Sequence, residues 1–460
     1  MDANGNPTSG DTTTVALVDR AVDRLLRFHP DVIELAGTLA QPAAAIPMAS
    51  AFVAYLNLTS TDPADLPAAR DAHARLVAAP LNAREALHAR AIGAWLDGEW
   101  GQAAQALDDV LERWPADTLA LQIGHQLDFF CGDATRLRDR PARTRRELPP
   151  DHPHTGFVLG MMAFGLEESG HYGQALDTGQ AAVDTNADDV WGLHAVVHTY
   201  EMQGRVADGV RTMVDGPAQW TTDNLFTVHN WWHLTLFELE LGDIDAVLRI
   251  YDEHLRGAGA ADVPIELLDA SALLWRLHLD GVDVTDRAAT LADGWARWLD
   301  EPPWYVFNDL HAVMALVLAG RGAAARAHVA RLEAAIAAAG TNAAMTREIG
   351  LPACRAVMAF ADSRYDDVVR ELMPIRRRLH CFGGSHAQRD AVARTLLEAA
   401  LRSGRFELAR TLTSERLAVR ESNVYAWQRR AIALRGLGLD VAADDATRIA
   451  DDHRRTMRAG

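Results

Sequence analysis

Lysine is absent from this sequence: all 45 basic residues are arginine. That absence excludes several chemistries. Pyridoxal-phosphate catalysis needs a Schiff-base lysine. A standard P-loop needs a lysine on the nucleotide phosphates, and a protein kinase needs its strand lysine. Cysteine is scarce as well. Cys131, Cys354 and Cys381 stand far apart and no CxxC occurs, so neither a zinc ribbon nor a disulfide framework is expected, and a reducing cytoplasm fits. Positive charge is in deficit: the formal net charge is −18 and the pI about 5.4. Nucleic acid and anionic membrane surfaces are therefore not the expected partners. Arg376, Arg377 and Arg378 make a local basic run of the kind usually found on a solvated helix face. No apolar run reaches about 18 residues free of charge, the length a membrane span needs. The opening MDANGNPTSGDTTT lacks the apolar stretch of a signal peptide, so a cytoplasmic location is expected. The abundance of Ala, Asp, Gly and Val with arginine alone as the basic residue is the bias of a GC-rich, bacterial genome.

Strand signals are also nearly missing. What fills the 460 residues is apolar spacing of helical period, broken by short turns. The turns repeat: GEWGQA at 98–103, GHYGQA at 170–175, GRVADG at 204–209, GDIDAV at 242–247, GRGAAA at 320–325 and GRFELA at 404–409, with a weaker SRYDDV at 363–368. A glycine ends one helix with a left-handed cap. An apolar residue follows two positions on, and a small residue three further lets the next helix approach closely. Gly170 and Gly204 are 34 residues apart, the tetratricopeptide period. The predicted fold is all-α: a right-handed superhelix of degenerate tetratricopeptide-like hairpins, one domain over residues 14–460 after a disordered tail at 1–13. The sequence leaves the oligomeric state open.

In such repeats the first helix of each hairpin lines the concave face, with inward positions near 2, 5, 9 and 12–13 when the turn glycine is position 15. Counting back from Gly204 puts Trp191, His194, His198 and Glu201 on that stripe. Counting back from Gly242 puts His229, Trp232 and Glu240 on it, with His233 at its edge. The same count places His88 and Trp95 before Gly98, Phe307 and His311 before Gly320, and Ser271, Trp275 and His278 before Gly281. Titratable and aromatic residues thus collect on one face across several repeats, where successive concave surfaces form one groove.

Three chemistries suit this stripe. His194/His198 and His229/His233 are i,i+4 pairs, and two such helices in adjacent repeats supply nitrogen ligands for zinc, iron or manganese. The spacing is not the HExxH of zincin proteases, nor does it carry the paired ExxH of di-iron bundles. Histidine beside a carboxylate supports acid–base catalysis, with His194 and Glu201, or His311 and Asp309, as pairs. Trp191, Trp232 and Trp275 make aromatic walls for a bound small molecule, with His88 on the same surface. Taken singly, each histidine reads equally well as a core residue bonded between helices. A further motif, CFGGSHAQRD at 381–390, reads as a loop entering a helix capped by Ser385. Its amides and Arg389 are a candidate anion site, and the alternative is a capped helix with Arg389–Asp390 ion pairing. It is not a GxSxG nucleophile elbow. The cysteines read as inert.

LGMMAFGLEESGHY, WGLHAVVHTYEMQGR, HNWWHLTLFELELGD with IYDEHL, LLWRLHLDGVDV and GGSHAQRD resemble the tetratricopeptide repeat protein 38 family, over roughly His88 to Leu437. The resemblance implies an all-helical, cytosolic, repeat-built protein and carries no catalytic residues with it. The expected function is a concave His/Glu/Trp pocket that binds, and transforms, a small molecule. His194, His198, Glu201 and His311 would do the chemistry. Trp191, Trp232, Trp275, His88 and Arg389 would bind, and His194, His198, His229 and His233 would hold a divalent metal. The competing class is a non-enzymatic scaffold that takes a peptide or protein partner in its groove.

Overall fold

Gly204 and Gly242 end their helices at φ +68° and +74°, a left-handed conformation that strains any residue with a Cβ. At each turn the next residue's N–H reaches back five residues: Arg205 N donates to the Tyr200 carbonyl at 2.8 Å and Asp243 N to that of Glu238 at 2.9 Å. The small residue after the turn has the expected role. A Cβ on Gly209 would lie 2.2 Å from Phe237 Cζ, so the second helix of this hairpin packs directly against the next repeat. At the weak copy Ser363 takes the left-handed conformation itself, at φ +57°.

The computed structural model describes residues 1–44, 46–149 and 151–459. Among them there is no strand, and consecutive helices pack as hairpins into an α-solenoid. Among the described residues no helix is long and apolar enough to cross a membrane. The stretch expected as a disordered tail lies along the body instead. Asn4 Nδ2 donates to the Ala116 carbonyl at 3.1 Å, Ser9 Oγ donates to Glu85 at 2.9 Å, and Asp2 pairs with Arg84 at 3.0 Å.

Four helices frame the middle of the solenoid: Thr155–Glu168, Val190–Gln203, Thr227–Leu241 and Pro264–Leu279. Each packs on the next, with its apolar residues between layers. Their inner face is not an open groove, because chain from both ends covers it. From the N-terminal side Phe28, held at φ +52°, stacks on Trp191 with ring centroids 5.7 Å apart. From the C-terminal side Arg420 Nη1 donates to the Glu201 carbonyl at 2.7 Å, and Val424 N donates to Glu240 Oε1 at 2.6 Å. The last helix, Asp440–Ala459, packs against Val206–Asp215 and Thr227–Leu241. There Arg458 donates to the Leu241 carbonyl at 2.8 Å.

Candidate metal centre

Helices Val190–Gln203 and Thr227–Leu241 each carry two histidines one turn apart, and packing brings the pairs face to face. His194, His198, His229 and His233 form one cluster in which a ring nitrogen of each lies within 4.8 Å of the others. His229 Nε2 is 3.1 Å from His194 Nε2 and 3.1 Å from His233 Nε2. The His198 ring centroid is 4.4 Å from those of both His194 and His233. All four residues are buried, at 0–5% exposure. Phe164, Trp191, Phe226 and Trp232 enclose them, with Trp191 4.9 Å from His194 and Trp232 stacked on His229 at 5.4 Å.

Carboxylates face three of the rings from outside. Asp269 Oδ2 lies 2.7 Å from His229 Nδ1, so this nitrogen carries the proton and donates it. That leaves the His229 Nε2 lone pair facing inward. Glu167 Oε2 is 3.7 Å from His198 Nδ1 and Glu201 Oε2 is 3.6 Å from His233 Nδ1. Outward Nδ1 on a carboxylate and inward Nε2 is the arrangement that orients imidazoles as metal ligands.

The polar balance of the cluster points the same way. His194 Nδ1, both ring nitrogens of His198, His233 Nδ1, both oxygens of Glu167, Glu201 Oε2 and Asp269 Oδ1 are buried with no hydrogen-bond partner in the chain. At roughly 1–3 kcal/mol for each unsatisfied group, these atoms together weigh as much as the net stability of a typical domain, about 5–15 kcal/mol. The single Nε2 lone pair of His229 cannot accept well from two histidines at once. A cation among the Nε2 atoms would satisfy all four lone pairs and let three Nδ1–H groups donate to the carboxylates. The spacing suits it: a tetrahedral ion with metal–nitrogen bonds near 2.0–2.1 Å places its ligands roughly 3.3 Å apart.

Burial sets the protonation. It holds His194, His198 and His233 well below the usual imidazole range, and the neighbouring rings add to the effect. These three are neutral, the form that binds metal. Burial pushes Glu167 well above the carboxylate range, with Glu168 adding to it, and raises Glu201 and Asp269. Glu168 behaves oppositely: although burial opposes it, Arg389 and His386 hold its carboxyl down. Glu167, Glu168 and His198 form a second convergent set of donors. Glu168 is already engaged, accepting from His386 N at 2.7 Å and Arg389 Nη2 at 2.9 Å.

Several expected site residues lie elsewhere. His311 is not in the cluster: its Nδ1 donates to the Phe307 carbonyl at 2.7 Å, and Asp309 pairs with His328 at 2.9 Å, one helix over. Trp275 is no wall of the histidine site; its Nε1 donates to Thr395 at 2.8 Å and its ring packs on Phe360. His88 is sealed in a bonded chain, with Tyr55 on Nδ1 at 3.0 Å, Asp117 on Nε2 at 2.9 Å and Arg84 on Asp117 at 2.6 Å. Glu201 faces His233, not its helix-mate His194. The anion at the Ser385 helix start is internal. Ser385 and Gln388 form a capping box, and the Glu168 carboxylate accepts from the His386 amide and from Arg389. Asp390 pairs with Arg394 and Arg416, not with Arg389.

Asp269 and Glu167 were missed at the sequence level. Glu167 had a signal: it precedes Gly170 by three residues, as Glu201 precedes Gly204, and lies 34 residues before Glu201. By the same offset Phe164 matches His198. Asp269 had none, standing off the inward stripe counted from Gly281.

No protein-family profile matches the chain. Solved structures with similar helix arrangement include the human IFIT1 dimer with PPP-AAAA, 11% identical at TM-score 0.40, covering 97% of this chain and 95% of that one. The APC/C hetero-tetramer Cut9–Hcn1 is 10% identical at TM-score 0.36, covering 97% and 96%. At these identities and TM-scores the likenesses carry no inference about this chain. By its own turns, caps and helix packing, the chain is a tetratricopeptide-like helical-repeat protein built around a buried four-histidine cluster.

Proposed function

We propose that this chain is a metal-binding helical-repeat protein. His194, His198, His229 and His233 hold one divalent transition ion through Nε2, and Asp269, Glu167 and Glu201 orient three of the rings. The observation that carries this reading is the convergence of four imidazoles in a dry, aromatic enclosure, with ring nitrogens of His194, His198 and His233 and oxygens of Glu167, Glu201 and Asp269 left without partners. The all-nitrogen donor set favours zinc or iron over manganese, whose sites are rich in oxygen ligands. When bound, such an ion supplies Lewis acidity for work on a small molecule. Around it, the chain's own groups exclude water with Phe164, Trp191, Phe226 and Trp232, and burial favours the protonated form of Glu167 and Glu201.

The resemblance to the tetratricopeptide repeat protein 38 family belongs to the same reading, since the segments that carry it, WGLHAVVHTYE and HNWWH, are those that build the cluster. The three cysteines are free, which accords with a reducing, cytoplasmic location. The alternative, a scaffold for an extended peptide, rests on the repeat architecture. At the level of the cluster, Arg420 and Val424 of the same chain already occupy the concave face.

Elemental analysis of untagged protein purified without chelator tests the reading. About one equivalent of zinc or iron is expected, lost in His194→Ala and His233→Ala. Less than roughly a tenth of an equivalent, with no uptake on reconstitution, would overturn it.

A further inference from the structure

A cavity of about 320 Å³ opens beside the cluster, between the end of helix Val190–Gln203 and helices His386–Arg402 and Phe406–Val419. Two of its walls are the outer layer of the histidine site. Glu201, which faces His233 Nδ1 at 3.6 Å, lines it. So do His386 and Arg389, which hold Glu168, the neighbour of Glu167. A molecule in this cavity would sit against the carboxylates that orient the imidazoles.

The lining inverts the charge of the chain. Overall the protein is at −18, yet Arg376, Arg377, Arg389, Arg416 and Arg420 line the cavity against the carboxylates of Glu201 and Asp390. Three of these arginines are committed to carboxylates: Arg376 to Glu415, Arg389 to Glu168, and Arg416 through Nη1 to Asp390 at 2.6 Å. Donors remain on Arg377, on Arg420 beyond the one it gives the Glu201 carbonyl, and on Arg416 Nε. Arg377 is 77% exposed and touches Glu415 only at 3.8 Å. Arg420 stands 3.6 Å from Glu240, beyond a hydrogen bond. Arg416 Nε is buried without an acceptor, an arrangement that costs about 1–3 kcal/mol until something accepts from it. Nearby lies a buried cation, Arg276, whose hydrogen bonds go to the carbonyls of Ala272 and Ala387. Burial pushes it down to about 10, with Asp390 and Glu201 acting the other way, and its charge adds to the local positive potential.

We propose that this cavity binds a small oxyanion-bearing molecule, a carboxylate or a phosphate, through Arg377, Arg416 and Arg420, and that it is the substrate pocket of the metal centre. The size decides the scale of the ligand: about 320 Å³ is at the lower end of small-molecule sites and too small for a peptide or nucleotide chain. Arginine forks suit planar or tetrahedral oxyanions, because each presents paired N–H donors. The role as substrate pocket rests on the metal reading of the previous section; the binding of the anion does not.

Calorimetric titration of the full chain at about 0.15 M salt, with inorganic phosphate, succinate and neutral succinamide as probes, tests the proposal. Saturable binding of phosphate or succinate is expected at a Kd below about 1 mM, with none for succinamide. Which of the two anions binds identifies the class. Arg377→Gln and Arg420→Gln should each weaken it about tenfold or more, the effect of one charge-assisted hydrogen bond. Arg377 is exposed, so its variant decides the matter if Arg420→Gln fails to fold. No saturable heat from either anion up to about 10 mM, or wild-type affinity in both variants, would overturn the proposal. Metal content measured on the same samples separates the two readings. Anion binding without metal removes the metal centre and with it the substrate role. Metal without anion binding removes the pocket alone.

Discussion

Asp269 Oδ2 lies 2.7 Å from His229 Nδ1, and it is this contact that turns the His229 Nε2 lone pair toward His194 and His233. The carboxylate comes from helix Pro264–Leu279 and the imidazole from Thr227–Leu241, so the ligand's orientation is set by how two hairpins pack. Asp269→Asn keeps an acceptor but removes the charge. It should lower metal affinity by about 10–100-fold, as changes to carboxylates behind histidine ligands do. Chelator competition measures this, with the helical circular dichroism unchanged.

Metal binding and folding should be linked. The cluster joins helices from two hairpins, and an ion that binds the native arrangement and not the unfolded chain stabilises it by about 4 kcal/mol at a thousandfold excess over Kd. Thermal unfolding of chelated protein should therefore rise on adding back zinc or iron(II). His198→Ala should remove that shift. A rise of equal size in the variant would mean the ion acts elsewhere.

The Arg84–Asp117–His88 network predicts an acid limb of stability away from the cluster. Burial alone would raise Asp117, but Arg84 and then His88 hold its carboxyl far below the usual range. A folded pKa below the unfolded one means stability that is present above about pH 4 and lost as pH falls below it. Asp117→Asn leaves the Arg84 guanidinium buried without its ion pair there, so it should cost about 3–5 kcal/mol near neutral pH. The gap to wild type should narrow below about pH 4, by up to 1.4 kcal/mol per pH unit. Urea unfolding of both proteins across that range checks the sign and the slope.

Gly209→Ala tests the close approach of neighbouring hairpins. The new Cβ would meet the Phe237 ring at 2.2 Å, and Phe237 shares a helix with His229 and His233. Overpacking of this kind costs about 1–3 kcal/mol. Displacing that helix should weaken metal binding as well, so both the unfolding midpoint and the metal affinity should fall. An unchanged midpoint would show that the ring moves aside freely.

Much of the site was readable along the chain because the repeat is local. Gly170 to Gly204 sets the 34-residue frame, and 3.6-residue periodicity places His194, His198 and His229 on the inner stripe. That frame contained Glu167 too, at the position of Glu201. The same periodicity misled at His311, Trp275 and His88. Each faces inward in its own helix, but what an inward face meets depends on its neighbours: the Phe307 carbonyl, Thr395 and Asp117.

The order of residues alone determined the helices, the left-handed glycine turns and the pairing of histidines one turn apart, because these depend on contacts within a few residues. Tertiary structure decided which carboxylate meets which imidazole, since that depends on the angle between successive hairpins. It also decided that the cluster is sealed. The residues that cover it, Phe28 on one side and Arg420 and Val424 on the other, come from distant parts of the chain. Arg420 and Val424 stand 219 and 184 residues from the groups they bond, and no local pattern reaches that far.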